Sequence, residues 1–250
     1  MTRRDFSEKL LQTLTSVAFL DTLFRQQLLA KPVQTVANRW LKELQTMCKD
    51  LRVHSISPLE WQKQVEAFHH KLPLEDLLNL IDFENSIKDF AYPDLGVVTK
   101  NTKFPKISGI SESQSFIGRI FGMQKDRAII PHGHKHMTSC HRVLKGEFLL
   151  RQYDRVEDRP ETMVIRPTIE EIARKGSFSS ISDAHNNVHW LVAQSKRAYT
   201  FDVIVADLDE KPTEIDNIDI AKAVRLKSDL LEVRKLSVED ALPKYGKSHH

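Results

Sequence analysis

The sequence predicts a mainly β protein, an antiparallel sandwich or barrel that follows an N-terminal α-helical region. From about residue 92 onward, Gly, Pro and Ser separate short strand-like runs, such as 115–121, 147–153 and 162–165. Short strands at this spacing are typical of an antiparallel sandwich or barrel. Before residue 90, apolar residues recur at the helical spacing of three and four. A change of pattern near residue 92 therefore separates two structural regions.

The helical part predicts several separate helices. Leu10, Leu14 and Leu28 recur at helical spacing, and a second apolar stripe runs through 33–51. Ser57 and Glu60 form a capping box around Pro58, which indicates the start of another helix. This region contains no catalytic constellation, so we interpret it as a packing or dimerisation layer. His69 and His70 are expected near a helix C-terminus as a solvated cap.

We divide the chain into an α-helical region (1–90), a β-barrel metal-binding domain (91–212) and a C-terminal tail packing on the barrel (213–250). A length of 250 residues and 40% hydrophobic content suit one large domain or two small ones. Within the barrel, 167–174 is expected to form a single helical turn between strands. The path of the tail is not predicted.

Composition disfavours several function classes. The formal net charge is +3 and no basic run reaches five residues, so nucleic acid is not an expected partner. Apolar runs are only a few residues long, so no membrane span is expected. Cys48 and Cys140 match no disulfide or metal spacing, which favours the reducing cytoplasm.

The stretch 131–146, PHGHKHMTSCHRVLKG, carries the strongest chemical signal. His132, His134 and His136 alternate, and side chains at i and i+2 leave the same face of a strand. Two such imidazoles can converge on one metal ion. His189, at the start of an apolar strand, is the preferred third ligand, whereas His136 and His185 remain alternatives. His141 is expected to be structural.

These motifs resemble the cupin jelly-roll β-barrel, whose first motif has a His-x-His pair, a later acidic ligand and a glycine. His132, His134 and Gly146 match that motif, and a second motif matches Gly176 and His189. The usual acidic position falls at Ser139, whose hydroxyl is a poor replacement for an anionic ligand. The resemblance therefore implies three neutral histidines and no carboxylate.

Within the cupins, the sequence resembles the three-histidine thiol dioxygenase branch, which includes cysteamine dioxygenase and the plant cysteine oxidases. The resemblance covers roughly residues 110–210. The matching residues are His132, His134, Met137, Gly146, Tyr153, Asp154, Asn187, His189, Ala193 and Asp202.

This resemblance implies that His132, His134 and His189 hold Fe(II), with Zn, Ni or Mn as possible replacements. It makes Asp202 a candidate for binding a substrate amine and Tyr153 a second candidate catalytic residue. Alternation alone leaves open whether Asp202 faces the barrel or solvent, and whether Tyr153 only ends a strand.

The leading hypothesis is a mononuclear Fe(II)-dependent cupin dioxygenase that oxidises a small thiol to a sulfinate with O2. Its expected partners are the small-molecule substrate and O2, and a homodimer is possible. Two alternatives remain. One is a non-catalytic metal-binding cupin that acts as a ligand sensor or binding module. The other is a different metal-dependent cupin oxygenase or lyase acting on a small organic acid. Arg119, Gln152 and Tyr199 are further candidates for lining the cavity.

Overall fold

The computed structural model describes residues 36–104 and 115–248. Its helices are α1 (36–52), α2 (Pro58–His69), α3 (Leu74–Leu80), α4 (Phe83–Ile87) and α5 (Val238–Tyr245). The predicted cap is present, because the Ser57 hydroxyl accepts a hydrogen bond from the backbone N–H of Glu60 at the start of α2. The predicted helical stripe from Leu10 to Leu28 lies outside the described residues.

Twelve strands lie between α4 and α5 in the described part of the chain. They are β1 (Val98–Asn101), β2 (Ile117–Gln124), β3 (Ala128–Lys135), β4 (Thr138–Lys145), β5 (Glu147–Asp158), β6 (Thr162–Arg174), β7 (Phe178–Ile181), β8 (Val188–Ala193), β9 (Arg197–Val205), β10 (Glu214–Ile218), β11 (Val224–Arg225) and β12 (Leu231–Leu236). They form a five-stranded sheet, β1-β2-β9-β4-β7, and a seven-stranded sheet, β10-β3-β8-β5-β6-β12-β11.

Strand order identifies the β domain as a jelly roll. Consecutive strands β2 to β9 alternate between the two sheets except at the β5–β6 hairpin, which gives the orders β2-β9-β4-β7 and β3-β8-β5-β6. All of these pairs are antiparallel. Eight strands in two sheets with this connectivity are the jelly-roll arrangement. The mainly β prediction with an N-terminal helical region is thereby confirmed.

The segment 213–248 takes part in the sheet hydrogen bonding. Strand β10 pairs with β3, and β12 pairs with β6 and β10. Both strands therefore extend the seven-stranded sheet beyond the jelly roll. Within the described residues, no helix combines the length and the apolar character needed to cross a membrane.

The helices cover the outer face of the five-stranded sheet. Leu44 and Trp61 from the helices share one apolar cluster with Cys140, Phe201 and Val203 from β4 and β9. The alternate residues of the same strands face the other sheet. The helical layer therefore supports, from outside, the sheet that forms one wall of the barrel interior.

Two local expectations were wrong. The segment 167–174 forms no helical turn. It belongs to β6, where pairing with β5 overrides its local preference. His69 is not a solvated cap. It is buried, and its ring stacks on Phe178 with 4.5 Å between the ring centroids, because α2 packs directly on the five-stranded sheet.

Candidate metal centre

Three histidines meet on the inner face of the seven-stranded sheet. His132 and His134 lie on β3, and His189 lies directly opposite His132 on the neighbouring strand β8. The ring of His132 is 4.6 Å from that of His134 and 4.3 Å from that of His189, measured between centroids. One ligand atom from each ring lies within 4.8 Å of the others. Alternation along β3 and register between β3 and β8 together create this cluster.

Burial keeps these imidazoles neutral. The pKa of His132 is lowered to about 4, chiefly by desolvation; a backbone hydrogen bond to Ile130 opposes this shift and the nearby His141 adds to it. Burial lowers the pKa of His134 to about 2 and that of His189 well below its usual value. Neutral imidazole is the form that binds a metal ion.

Backbone carbonyl groups orient two of the rings. The Nδ1–H of His132 donates to the carbonyl of Ile130 at 2.7 Å, and that of His189 donates over 3.4 Å to the carbonyl of Asn187. Because a carbonyl only accepts, each ring carries its proton on Nδ1 and leaves the Nε2 lone pair free. Such outer hydrogen bonds fix the tautomer of metal-binding histidines.

Asn187 also holds the two strands together at the site. Its Oδ1 accepts from the backbone N–H of His134 at 3.2 Å, and its Nδ2 donates to the carbonyl of the same residue at 2.8 Å. Gly133 makes room for this side chain, because a Cβ at that position would lie 2.6 Å from Asn187 Oδ1. The glycine between the two histidines therefore allows the close approach of Asn187.

The donor set fits a divalent transition metal ion. Imidazole nitrogen suits iron, zinc, nickel and copper. The Nδ1 of His134 is buried and has no hydrogen-bond partner in the structure. Ser139 also faces the cavity, and its buried hydroxyl has no partner either. No carboxylate belongs to the three-residue cluster, so an ion held there would keep its full charge.

A histidine and an aspartate face this cluster from the other sheet. His141 on β4 and Asp202 on β9 are paired in register, and His141 Nδ1–H donates to Asp202 Oδ2 at 2.6 Å. Both residues are buried, and neither His141 Nε2 nor Asp202 Oδ1 has a hydrogen-bond partner. The ring of His141 lies 5.2 Å from that of His189 between centroids. Asp202 therefore faces the barrel interior.

The histidines and Asp202 line one cavity of about 300 Å³. Its remaining lining is mostly apolar and includes Met137, Ile129 and Phe121, with Arg119 beside them. A pocket of this size suits a small molecule. Apolar walls lower the local dielectric constant and so strengthen electrostatic interactions inside the cavity.

His136 and His185 do not join the cluster. The strand ends at Lys135, and His136 has a positive φ of 58°, in the turn before β4. Its backbone N–H donates to Asp183 at 2.8 Å. The ring of His185 instead bonds Asp154, with 2.8 Å between Nδ1 and Oδ1. Neither His136 nor His185 therefore lies with the three clustered histidines.

The structure does not bring Tyr153 to the site. Gln152 pairs with His189 and shares its inner face, so Tyr153, the next residue on β5, points to the other face. There it packs with Met163 and Val188. Burial raises the pKa of its hydroxyl. Strand alternation therefore directs its side chain away from the cavity, and its catalytic role stays a prediction. Tyr199 likewise lies outside the cavity lining, whereas Arg119 contributes to it.

Sequence reasoning missed the roles of two residues of the site. His141 was interpreted as structural, yet it lines the cavity and bonds Asp202. Its alternation with Ser139 was the available signal, because both share one face of β4. Asn187 was matched to the thiol dioxygenase branch, but its hydrogen bonds to the backbone of His134 on the neighbouring strand were not predicted.

Comparisons with known proteins give similarity of fold only. No family model and no curated protein matches the sequence. Among solved structures, the chain is similar to a cupin superfamily protein from Desulfitobacterium hafniense, at 10% identity and a TM-score of 0.31, over 46% of this chain and 83% of that one. It is also similar to a recombinant oxalate oxidase in complex with glycolate, at 15% identity and a TM-score of 0.35, over 49% of this chain and 55% of that one.

A third similar structure is procruciferin, the 11S globulin from Brassica napus, at 11% identity and a TM-score of 0.35, over 55% of this chain and 31% of that one. The matched region thus spans about half of the oxalate oxidase chain and about a third of procruciferin. The described chain is a jelly-roll protein with a three-histidine candidate metal centre.

Proposed function

We propose that this protein is an Fe(II)-dependent dioxygenase that converts a small thiol to a sulfinic acid. The reaction R–SH + O2 → R–SO2H balances, because both oxygen atoms enter the product and sulfur is oxidised as O2 is reduced. One observation carries the proposal. His132, His134 and His189 bring three neutral ligand atoms within 4.8 Å of one another at a buried cavity.

The three imidazoles would hold the ion through nitrogen atoms whose protonation is already set. His132 and His189 keep Nδ1 protonated through their carbonyl partners, which leaves Nε2 as the donor. Bound Fe(II) would supply a Lewis acid that favours the thiolate form of the substrate and reacts with O2. An all-imidazole site suits a thiolate, because no protein carboxylate competes with the anionic ligand for the ion's charge.

Asp202 would bind the amino group of the substrate, opposite the metal ligands. Asp202 lines the cavity; its Oδ2 is occupied by His141, whereas its buried Oδ1 has no hydrogen-bond partner. An ammonium group placed there would form a charge-assisted hydrogen bond in a water-poor site. His141 holds the carboxylate in position and presents Nε2 to the same cavity. This arrangement favours an aminothiol over a thiol without an amine.

The proposal also covers the cellular compartment and the binding partners of the protein. We infer a reducing compartment such as the cytoplasm, because Cys48 and Cys140 are both buried and unpaired. The proposed partners are the thiol and O2, with neither nucleic acid nor membrane involved, and a homodimer through the helical layer remains a proposal.

The test is an oxygen-uptake assay with the full chain loaded with Fe(II) under argon. A panel of cysteamine, cysteine and 3-mercaptopropionate should give uptake with one sulfinate formed for each O2, most efficiently for the aminothiols. Tight Zn(II) occupancy with no uptake for any thiol would reject the dioxygenase and favour a non-catalytic binding module.

A further inference from the structure

A second cavity, of about 720 Å³, lies at the other end of the barrel strands and carries a concentration of positive charge. Four cationic side chains line it: Lys88 after α4, Lys145 at the end of β4, and Lys196 and Arg197 at the start of β9. We call it the basic pocket. Three separate parts of the chain therefore supply cations to one concave surface.

None of these four cations has a carboxylate partner among the described residues. Lys88, Lys145 and Lys196 form no salt bridge within 4.0 Å with any residue in the described ranges 36–104 and 115–248. The guanidinium of Arg197 lies over the ring of Tyr92, 5.0 Å from its centroid. Glu84 is the one acidic residue in the lining, and it forms no salt bridge with the cations. Gathered like charges repel each other, and a bound anion relieves this repulsion.

Another charged region of the same domain shows the contrast. Lys135 and Lys235 both contact Asp158, at 3.3 and 2.7 Å, and Lys135 contacts Glu214 at 2.8 Å. There the cations are neutralised within the chain. The basic pocket lacks such partners, so its positive charge remains available to a ligand.

Backbone contacts preform the pocket. Gly146 has a φ of +77°, and a Cβ there would lie 2.6 Å from the carbonyl oxygen of Arg197, so the β4–β5 turn presses against the start of β9. The Ser195 hydroxyl accepts from the backbone N–H of Glu147 at 3.1 Å. These contacts fix the two turns that carry Lys145 and Lys196, so a ligand meets an existing concavity.

The pocket also has an apolar part. Tyr199, which is buried, and Ile87 from α4 line it beside the cations. Lysine binds phosphate as a point charge, and arginine binds it through two parallel hydrogen bonds. A small organic phosphate can contact both parts of the lining, with its phosphate group at the cations and its organic group at Ile87 and Tyr199.

The basic pocket is separate from the candidate metal centre. The two cavities share no lining residue. Lys145 lies four residues beyond His141 on β4, which corresponds to about 13 Å along an extended strand. A ligand here does not touch the three histidines.

We propose that the basic pocket is a binding site for a small organic phosphate monoester. The test measures binding of phenyl phosphate to the full chain by isothermal titration calorimetry at low ionic strength, with phenol and inorganic phosphate for comparison. Phenyl phosphate should bind more tightly than either fragment, and Lys145→Gln/Lys196→Gln should weaken it at least tenfold.

The matched control is Lys42→Gln/Lys63→Gln, which removes the same charge from exposed positions on α1 and α2. It should retain the affinity of the unmodified chain. Equal weakening in both double variants would overturn the proposal, because it would reveal only attraction to a basic protein. No measurable binding of phenyl phosphate, or tighter binding of inorganic phosphate, would also overturn it. None of these readouts depends on oxidation of a thiol.

Discussion

Binding of a metal ion at the three histidines should raise the thermal stability of the protein by a calculable amount. A ligand that binds only the folded state at 100 times its Kd stabilises that state by about 2.7 kcal/mol. For a chain of 150 to 250 residues, each kcal/mol raises the Tm by about 2–4 °C. Adding Fe(II) under argon at that excess should therefore raise the Tm by about 5–11 °C.

His189→Ala should abolish this shift, because it removes one of the three ligands and leaves only the pair on β3. His185→Ala is the matched control, since His185 has a side chain 44% exposed and is engaged by Asp154. It should keep the full shift. Differential scanning fluorimetry with and without Fe(II), together with iron content after desalting, measures both. A full shift in His189→Ala, or its loss in His185→Ala, would refute the assignment of His189 as a ligand.

Three further predictions concern the surroundings of the site and the helical layer. Asp202→Asn should retain iron but lower kcat/KM for an aminothiol on the order of tenfold to a hundredfold, because a hydrogen bond to a charged group contributes about 1.5–3 kcal/mol. Unchanged oxygen-uptake kinetics in this variant would contradict the role of Asp202 in substrate binding. Gly133→Ala should weaken iron binding by about 10–100-fold, because its Cβ displaces Asn187, which lies outside the metal ligands; equilibrium titration with Fe(II) measures this, and unchanged affinity would argue against it. Burial lowers the pKa of His69 from 6.5 to about 3, so protons bind the unfolded chain preferentially as the pH falls below 6.5, and stability decreases. Between pH 7 and pH 5, His69 should contribute about 2 kcal/mol to the loss measured by urea unfolding, in addition to the contribution of the three histidines in the cavity. The loss should therefore be about 2 kcal/mol smaller in His69→Phe and unchanged in the exposed control His70→Gln; an equal loss in both variants would show that His69 does not contribute.

The features that could be predicted from the sequence were those that depend on local periodicity. The alternation of His132 and His134 required only that the segment be a strand, and the apolar run after His189 indicated a second strand. Likewise, the change from helical spacing to short runs near residue 92 correctly predicted a helical region followed by a β domain.

The features that could not be predicted depend on register and packing. Whether Asp202 faces the interior is decided by its pairing with His141, and this pairing is not encoded in either segment alone. Tyr153 matches the family motif, but Gln152 pairs with His189, so Tyr153 lies on the face of the seven-stranded sheet that points away from the cavity. His69 was misassigned because nothing in α2 itself indicates that Phe178, more than 100 positions later, covers it.

The candidate metal ligands and the proposed substrate anchor belong to different sheets. All three histidines lie on two adjoining strands of the seven-stranded sheet, whereas His141 and Asp202 lie on the five-stranded sheet that the helices support. Mutations on the five-stranded sheet can therefore change which molecule is accepted without disturbing ion coordination. Evolution can therefore alter the substrate-binding sheet independently of the metal ligands. Substitutions in the helical layer, which packs on the outer face of that sheet, can also shift the positions of His141 and Asp202.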